Sequence, residues 1–401
     1  MKNYKIESKE INNEDSYFQQ CLANAYINKS RPMCLCKEHG VPMYIAKNNE
    51  SYIIKRMPNS GQQHHYSCGS YEIPPELSGR GGVDEKAIFE DSNTGITSLR
   101  LDFSLSKVTT KREIDKGETK ENKSIKSDPA KLTIRSLLHC LYEDAGLNKW
   151  VYEKDNKRNW FYVRKALLQA AQNKVSKKTI IAESLLIPET FFIDKKEDIY
   201  ARRRRFLAHL KGAGSKKQMG ILIGEVKNID STRFGYKMLI KHMPDTPLYM
   251  DEDIFKRIVK NFSQELTVFD EYEKTHLLTI CTFYLSASGN PQIDSISFML
   301  TDYHWLPFEN IDEQVVMNKL ISEKRSFIKG LRYNLLANDV IASFLLTDIH
   351  DNPTAMYIVP AGAEDDFYIK MDDVIKESGL SNYIWNLNNE DGLRIPEAKL
   401  T

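Results

Sequence analysis

The chain has 401 residues, and at about 150 residues per domain this length corresponds to two or three domains. Its 56 lysine and arginine residues balance 55 aspartate and glutamate residues, which excludes a uniformly basic or uniformly acidic protein. No stretch approaches roughly 18 consecutive apolar residues, and no apolar segment follows Met1, so we expect a cytoplasmic protein without a transmembrane helix or secretory signal.

Cysteines and histidines concentrate near the N-terminus, after a helix predicted over residues 15–28. Cys34 and Cys36 precede two β-prone runs that flank the polar turn Lys-Asn-Asn-Glu, and His64 and Cys68 follow them. This pattern predicts a β-hairpin, and an antiparallel hairpin brings its two ends together. Three thiolates and one imidazole suit a closed tetrahedral site with no open position for a substrate. We therefore predict a structural Zn²⁺ ion bound by Cys34, Cys36, His64 and Cys68.

The identity of the fourth ligand stays open at this point, because His39 and His65 are also candidate donors. The His-x3-Cys spacing favours His64, although a Cys-x-Cys pair is less typical of zinc ribbons than Cys-x-x-Cys. Unrelated thiols, and redox or iron–sulfur chemistry, are the alternative interpretations. The other cysteines have no metal-like neighbours and are expected to be ordinary buried residues: Cys21, Cys140 and Cys281.

The same segment carries a family resemblance. Arg-Pro-x-Cys-x-Cys begins at Arg31, Gly-Val-Pro-Met-Tyr-Ile follows at residues 40–45, Lys-Arg-Met-Pro at residues 55–58, and then His-x3-Cys. This string resembles the bacterial domain-of-unknown-function family 1173, which is marked by three N-terminal cysteines; these would be Cys34, Cys36 and Cys68. Weaker echoes extend the resemblance over most of the chain, at residues 224–227, 241–244 and 327–334. The resemblance implies a protein of plasmids and integrating elements and brings no established activity.

The chain divides into four predicted regions, and the expected fold class is α+β. They are an N-terminal zinc-hairpin region (residues 1–105, with a strand over 96–105), a charged linker (106–130), a helical domain (131–214) and a C-terminal α+β domain (215–401). Helices are predicted in the helical domain, as a compact bundle or helix-turn-helix variant, over residues 132–143, 159–172, 177–186 and 198–211.

The C-terminal region predicts two hairpins separated by a helix. The strands are expected over residues 219–226, 235–242, 276–286 and 293–300, and the helix over residues 251–266. A second helix over residues 310–330 begins at Asn310, three residues before Glu313, in a capping-box pattern. Two further strands are predicted over residues 341–347 and 355–359.

A run of cations follows in the second half of the helical region. Its members are Arg202, Arg203, Arg204 and Arg205, with Lys216 and Lys217 a few residues later. Arginine binds phosphate in a bidentate manner and makes binding salt-sensitive, so this run predicts contacts to DNA or RNA. The alternative is a solvated or salt-bridged helix, which charge runs usually form.

A metal-dependent nuclease of the PD-(D/E)XK type is the alternative function. Its fold needs an acidic helix residue, then an aspartate on a strand, then Glu-x-Lys on the next strand, and Glu313 and Asp348 occur in that order. An Ala-Ser pair stands where Pro-Asp is required and the last strand has no Glu or Lys, so such a domain would be a degenerate restriction-endonuclease-like fold. A lone Glu-x-Lys occurs at Glu225 and Lys227. Motifs of P-loop, dinucleotide-binding, serine-hydrolase and zinc-protease sites are absent, so no catalytic residue is assigned.

The sequence therefore favours a non-enzymatic, zinc-stabilised, nucleic-acid-associated protein of bacterial mobile elements. The arginine run and the two lysines would supply its phosphate contacts. A protein–protein adaptor in plasmid transfer or maintenance, with the zinc hairpin as docking module, is a third interpretation.

Overall fold

The computed structural model describes residues 3–48, 51–108, 128, 130–155, 157–211, 216–349, 352–389 and 392–398. They form the mixed α+β structure that the sequence predicts. The strands are β1 (Asn3–Ile6), β2 (Lys9–Asn12), β3 (Met33–Cys34), β4 (Val41–Asn48), β5 (Ser51–Arg56), β6 (Ile88–Glu90), β7 (Thr97–Leu99), β8 (Ser106–Val108), β9 (Lys149–Trp150), β10 (Lys174–Ser176), β11 (Thr179–Ile180), β12 (Leu185–Leu186), β13 (Lys216–Gln218), β14 (Gly220–Thr232), β15 (Gly235–Ile240), β16 (Leu248–Met250), β17 (Thr275–Leu285), β18 (Pro291–Asp302), β19 (Pro307–Phe308), β20 (Phe327–Lys329), β21 (Phe344–Leu346), β22 (Thr354–Val359) and β23 (Ser381–Asn386). The helices are α1 (Phe18–Ile27), α2 (Ile134–Asp144), α3 (Tyr152–Asp155), α4 (Trp160–Ala171), α5 (Ile181–Ser184), α6 (Lys196–His209), α7 (Glu252–Asn261), α8 (Ser263–Glu271), α9 (Ile311–Ser322) and α10 (Asp365–Ser378). Most of the predicted charged linker, residues 109–127 and 129, lies outside the described residues.

The N-terminal residues form a five-stranded antiparallel sheet in the order β2-β1-β3-β4-β5. Strands β4 and β5 confirm the predicted hairpin. Alternate side chains of β4, from Val41, Met43 and Ile45, enter a core with Leu22 of α1, which fixes the face of the sheet that α1 covers. The sheet carries Cys34 on β3, at its centre.

Helices α2, α4 and α6 confirm three of the four predicted middle helices. Thr133 and Asn159 cap α2 and α4, because their side chains accept hydrogen bonds from the backbone N–H groups of Ser136 and Tyr162. The two helices pack together through buried leucines, among them Leu141.

The helix predicted over residues 177–186 is wrong, because only the single turn of α5 is helical there. Lys177 and Lys178 have φ values of 46° and 72° and form the two-residue turn between β10 and β11. Two consecutive positive φ values are what a type I′ hairpin turn requires. β10 also pairs with β7, so the middle region is not purely helical, and β7 covers three residues of the strand predicted over 96–105.

Five strands of the C-terminal region close into a barrel. Each pairs with two neighbours in the order β14-β15-β16-β18-β17-β14, and all pairs are antiparallel except β16 with β18. The hairpins β14–β15 and β17–β18 confirm the two that the sequence predicts. Strands β12 and β19 extend the sheet beyond the ring.

Strand β14 closes the barrel because its two halves have different partners. Residues 220–225 pair with β17, and residues 226–232 pair with β15. A register shift between Val226 and Asn228 marks a β-bulge, which bends the strand and increases its twist. Gly235 opens β15 with a φ of 102°, and a Cβ there would meet the Met250 carbonyl oxygen of β16, so this close approach requires glycine.

This strand order is that of the OB-fold, a five-stranded Greek-key barrel. The helix predicted over residues 251–266 is interrupted at Phe262. The two resulting helices, α7 and α8, connect β16 to β17, which are the third and fourth barrel strands in chain order. The Phe262 ring meets the Phe298 ring of β18 edge-on, with centroids 5.2 Å apart.

Helix α2 covers one side of the barrel. Its leucines share a core with outward side chains of β14 and β17, among them Ile221, Ile223, Leu278 and Ile280. Strands β15 and β16 instead present partly exposed side chains, such as Lys237 and Tyr249. The β15–β16 face of the barrel is therefore accessible.

The remaining strands form a second C-terminal sheet in the order β23-β22-β21-β20-β9. Its edge strand β9 comes from the middle of the chain. Helix α9 ends at Ser322, eight residues before the predicted end, because β20 begins at Phe327. Asn310 caps α9 by accepting from the Glu313 N–H, as predicted, whereas the Glu313 carboxylate accepts from the Glu309 N–H.

The restriction-endonuclease-like arrangement is not confirmed. Glu313 is buried and pairs with Lys329 at 3.0 Å, and Asp348 pairs with Arg325 at 2.8 Å. A nuclease needs carboxylates that hold a divalent metal ion, and here both are engaged by cations.

Candidate metal centre and nucleic-acid interface

The structure brings the four predicted zinc ligands together. Their ligand atoms all lie within 4.8 Å of one another, and the set is Cys34, Cys36, His64 and Cys68. Cys34 Sγ lies 3.8 Å from Cys68 Sγ. His64 Nδ1 lies 3.4 Å from Cys36 Sγ and 3.9 Å from Cys68 Sγ.

These separations fit the edges of a zinc tetrahedron. With Zn–S bonds of about 2.3 Å and a Zn–N bond of about 2.0 Å, sulfur–sulfur edges are about 3.8 Å and sulfur–nitrogen edges about 3.5 Å. The Cys34–Cys68 distance equals the first value, and the two distances to His64 lie on either side of the second. The group could therefore hold one metal ion.

Hydrogen bonds favour the thiolate form of Cys68, and a thiolate is the form that binds metal. The backbone N–H groups of His65 and Ser70 donate to Cys36 Sγ and Cys68 Sγ, each at 3.4 Å. A hydrogen bond from the Cys34 thiol lowers the pKa of Cys68 to about 3 and raises that of Cys34.

The three candidate histidines have different surroundings. The His65 ring bonds to the Ser67 hydroxyl at 2.7 Å, and His39 is exposed and outside the group. His64 is 1% exposed, and its Nε2 is buried with no hydrogen-bond partner among the described residues. Its Nδ1 is the nitrogen that faces the sulfurs of Cys36 and Cys68 and could bind a metal ion.

The segment after Cys68 anchors the cluster to the rest of the protein. Lys149 donates hydrogen bonds to the carbonyl oxygens of Gly69 and Tyr71, at 3.0 and 2.6 Å. Because these residues directly follow the last ligand, the candidate metal centre fixes a loop that contacts β9.

Half of the arginine run is engaged in ion pairs. Arg202 donates two hydrogen bonds to the carboxylate of Glu189, at 2.8 and 2.7 Å. Arg203 is buried and pairs with Asp245. These two arginines therefore connect α6 to Glu189 and Asp245.

The other members of the predicted phosphate-binding set are not engaged in the same way as Arg202 and Arg203. Arg204 and Arg205 are exposed on α6 and form no ion pair within the part of the chain that the structure describes. The backbone of Lys216 and Lys217 forms β13, which pairs with β8, whereas their side chains lie outside the description.

Glu225 is not paired with Lys227 in the manner of a nuclease. Its buried carboxylate accepts from Lys241 Nζ at 2.5 Å and from His276 Nδ1 at 2.6 Å. The His276 ring stacks on Trp305, with centroids 4.0 Å apart and planes 5° apart. This acid therefore links the middle of β14 to the end of β15 and the start of β17.

The barrel carries an exposed aromatic and cationic surface that sequence reasoning missed. One row of partly exposed residues crosses four strands, from Asp230 through Lys237 and Tyr249 to Gln292. At the turn between β14 and β15, Phe234 is 84% exposed, and the Arg233 guanidinium lies 5.1 Å from the centre of its ring. The available signal was a bulky aromatic residue in a polar turn between two predicted strands.

A closed barrel and a Cys3His group define the class as an α+β protein with a candidate metal centre. Residues 4–388 match the family described as Protein of unknown function (DUF1173), so the chain belongs to that family. Neither the curated proteins nor the solved structures contain a match to it. The association with plasmids and integrating elements stays a prediction. No helix in the described ranges has the length and apolar character needed to cross a bilayer.

Proposed function

We propose that this is a zinc-stabilised protein that binds single-stranded nucleic acid through the β15–β16 face of its barrel. The observation that carries the proposal is the almost complete exposure of Phe234 at the edge of this face. An aromatic ring held in water at a barrel loop gains most when a flat ligand stacks on it.

The zinc part rests on the donor set. Three cysteine sulfurs and one imidazole nitrogen favour zinc among common divalent ions, because calcium and magnesium prefer oxygen ligands. Four protein ligands complete the tetrahedron, so no position is left for a substrate. The ion would hold β3 and the loop after Cys68 together and would have no catalytic task.

The nucleic-acid part rests on where OB-folds bind. They use the face of their second and third strands and the loops between strands one and two and between strands four and five. In this barrel these are β15, β16, and the turns at residues 233–234 and 286–290. Arg233 and Phe234 occupy the first of these loops.

The chemistry of the face suits bases and phosphates. Phe234 and Tyr249 offer ring surfaces, and each stacked base is worth about 1–3 kcal/mol. Lys237 lies directly opposite Tyr249 and faces Asp230 at 3.7 Å, with both charged groups partly exposed. A solvated pair of this kind is weak and can be exchanged for a phosphate.

The remaining cations of the arginine run would extend the backbone contact. Arg204 and Arg205 lie on α6, and Lys216 and Lys217 lie on β13, which leads directly into β14. Each phosphate neutralised on a single strand adds about 0.7 to the slope of log affinity against log salt. Arg204→Gln together with Arg205→Gln should therefore reduce that slope.

The test is the binding of a fluorescently labelled 20-residue oligothymidylate, followed by anisotropy with the full-length protein. Phe234→Ala should weaken binding roughly 5- to 150-fold, as expected for the loss of one stacked base. Tyr17→Ala is the matched control, because Tyr17 is also exposed (50%) but lies at the start of α1. Equal losses in both variants, or none in Phe234→Ala, would contradict the assigned face.

The other two functions correspond to other results of the same assay. Magnesium- or manganese-dependent cleavage that disappears in Glu225→Ala or Glu313→Ala would replace this proposal with a nuclease. Absence of binding to single-stranded or duplex DNA and to RNA would leave the protein–protein adaptor.

A further inference from the structure

A second candidate site lies between the N-terminal hairpin and the helices α2 and α4. It is a cavity of about 550 Å³, here called the Lys55 cavity. Strand β5, the loop after Cys68, the C-terminal end of α2 and one face of α4 contribute its walls. This volume is in the range of pockets that hold small organic ligands.

The cavity has a surplus of positive charge. Five cationic side chains line it, those of Lys55, Arg56, Lys149, Lys165 and Lys174, together with four carboxyl groups. The carboxyl groups already have hydrogen-bond or ion-pair partners in the protein.

Each carboxyl group has a partner in the protein. Asp144 pairs with Lys174 at 2.5 Å, and Glu72 pairs with Arg56 at 2.6 Å. The other two meet Arg80 and Tyr333: Glu90 lies 3.3 Å from Arg80, and Glu143 accepts from the Tyr333 hydroxyl. Each of these four acids is therefore engaged by a partner other than Lys55 and Lys165.

Lys55 and Lys165 form no ion pair with any residue that the structure describes. Lys55 is partly buried on β5, directly opposite Tyr44. Burial lowers its pKa and Lys174 adds to the effect, whereas Asp144 and Glu90 oppose it without reversing it. Charged groups taken from water without a counter-ion are costly, so an anion in the cavity would be stabilised.

Tyr162 lies on the same face of α4 as the exposed Lys165. Tyr162 and Lys165 are three residues apart on α4, so they share a helix face, and both line the cavity. Tyr162 is 46% exposed, which leaves ring surface for stacking. A ligand could therefore meet a cation and an aromatic ring together.

We propose that the Lys55 cavity binds a small phosphate-bearing ligand of the nucleotide class, with its phosphate between Lys55 and Lys165 and its base on Tyr162. Phosphate is favoured over carboxylate because the unpaired cations are lysines, which bind phosphate as point charges. The guanidinium that would suit a carboxylate, that of Arg56, is taken by Glu72.

The Lys55 cavity is separate from the barrel face, so this proposal can be tested independently of the proposed function. Phe234→Ala should leave it unchanged, whereas changes in the cavity should leave oligothymidylate binding to the barrel face unchanged. A result in one assay is thus not explained by failure of the other.

The test is isothermal titration of the full-length, zinc-loaded protein with AMP, inorganic phosphate and adenosine as probes. AMP should bind more tightly than phosphate or adenosine. Lys165→Met should weaken AMP binding roughly tenfold or more, the loss expected for one charge-assisted hydrogen bond. Tyr162→Leu should weaken AMP but not phosphate.

Two further variants keep the test decisive. Lys55→Met should weaken AMP in the same way, and Lys55→Arg, which restores the charge, should recover part of the affinity. Lys256→Met is the control, since Lys256 is 71% exposed on α7 and outside the cavity. Absence of AMP binding, equal binding of adenosine and AMP, or an unchanged affinity in Lys165→Met would overturn the proposal.

Discussion

Nδ1 of His276 lies 2.6 Å from Oε1 of Glu225, diagonally across two paired strands of the barrel. The same oxygen accepts from Lys241, which follows the third strand involved. One carboxylate thus links β14, β15 and β17 at the point where β14 changes partners.

Glu225→Gln should lower the free energy of unfolding at pH 7 by about 1–3 kcal/mol, the value of hydrogen bonds to a charged group. Burial acts to raise the pKa of Glu225, but hydrogen bonds from His276 and Lys241 outweigh it and lower the pKa below its ordinary value of 4.5. A lowered carboxyl pKa gives stability above the unfolded value that is lost as the pH falls through the folded value. Urea unfolding of both proteins should therefore show a difference that shrinks below pH 4.5; a constant difference would contradict the ion-pair role.

Glu143 should have the opposite pH dependence. Burial raises its pKa to about 7, against the opposing effect of Arg80 3.7 Å away and of the Tyr333 hydroxyl. Its folded state keeps the proton, so its contribution is largest below pH 4.5 and declines until about pH 7. Each unit by which the pKa of Glu143 in the folded state exceeds its pKa in the unfolded state corresponds to about 1.4 kcal/mol of unfolding free energy.

The measurement for Glu143 is the difference in unfolding free energy between wild type and Glu143→Gln from pH 4.5 to 7.5. The amide keeps an acceptor for Tyr333 and does not titrate. Relative to this variant, the wild type should lose stability across the interval and level off above it. Parallel curves would show that the carboxyl ionises normally.

Zinc should bind in a ratio of one ion per chain and be lost in each ligand variant: Cys34→Ser, Cys36→Ser, His64→Ala and Cys68→Ser. At free zinc 1,000-fold above its dissociation constant, the bound ion adds about 4 kcal/mol to stability. Elemental analysis and thermal melts with and without a chelator measure both effects. Cys21→Ser is the control, because Cys21 lies on α1 outside the ligand group, and its zinc content should equal that of the wild type.

Substitution of two neighbouring arginines on α6, Arg203 and Arg204, should have different effects on the free energy of unfolding. Arg203→Ala removes the partner of Asp245 from a buried position and should cost about 2 kcal/mol, less than a fully buried pair because Asp245 is 37% exposed. Arg204→Ala, at an exposed position, should change stability by less than about 0.5 kcal/mol. Chemical denaturation compares the two; equal effects would mean that the ion pair does not stabilise α6.

The candidate metal centre could be predicted from sequence because its geometry is local. Cys34 on β3 pairs with Val41 at the start of β4, and Cys68 lies in the loop that follows β5, so the β4–β5 hairpin brings both to the same end. The helices capped by Asn159 and Asn310 were predictable for the same reason, since a cap and its helix are neighbours in sequence.

The closure of the barrel could not be predicted in this way. Both hairpins are visible in the pattern of apolar residues, but nothing in that pattern says that Ile223 of the first pairs with Ile280 of the second. The Lys55 cavity could not be predicted from the sequence for a related reason. Lys55 and Lys165 lie on separate elements, and only the folded chain brings them to one cavity. The turn at Lys177 and Lys178 was missed because lysine seldom adopts positive φ.

The position of β9 has a consequence for synthesis of the protein. Trp150 is fully buried where β9 pairs with β20, and Asn148 bonds to Lys329, 181 residues further along the chain. At a translation rate of about 5–20 residues per second, a nascent chain would wait roughly 10–40 seconds between making this edge strand and making its partner. During that interval Trp150 and the open edge would be exposed, so a chaperone that shields hydrophobic segments should raise the yield of folded protein.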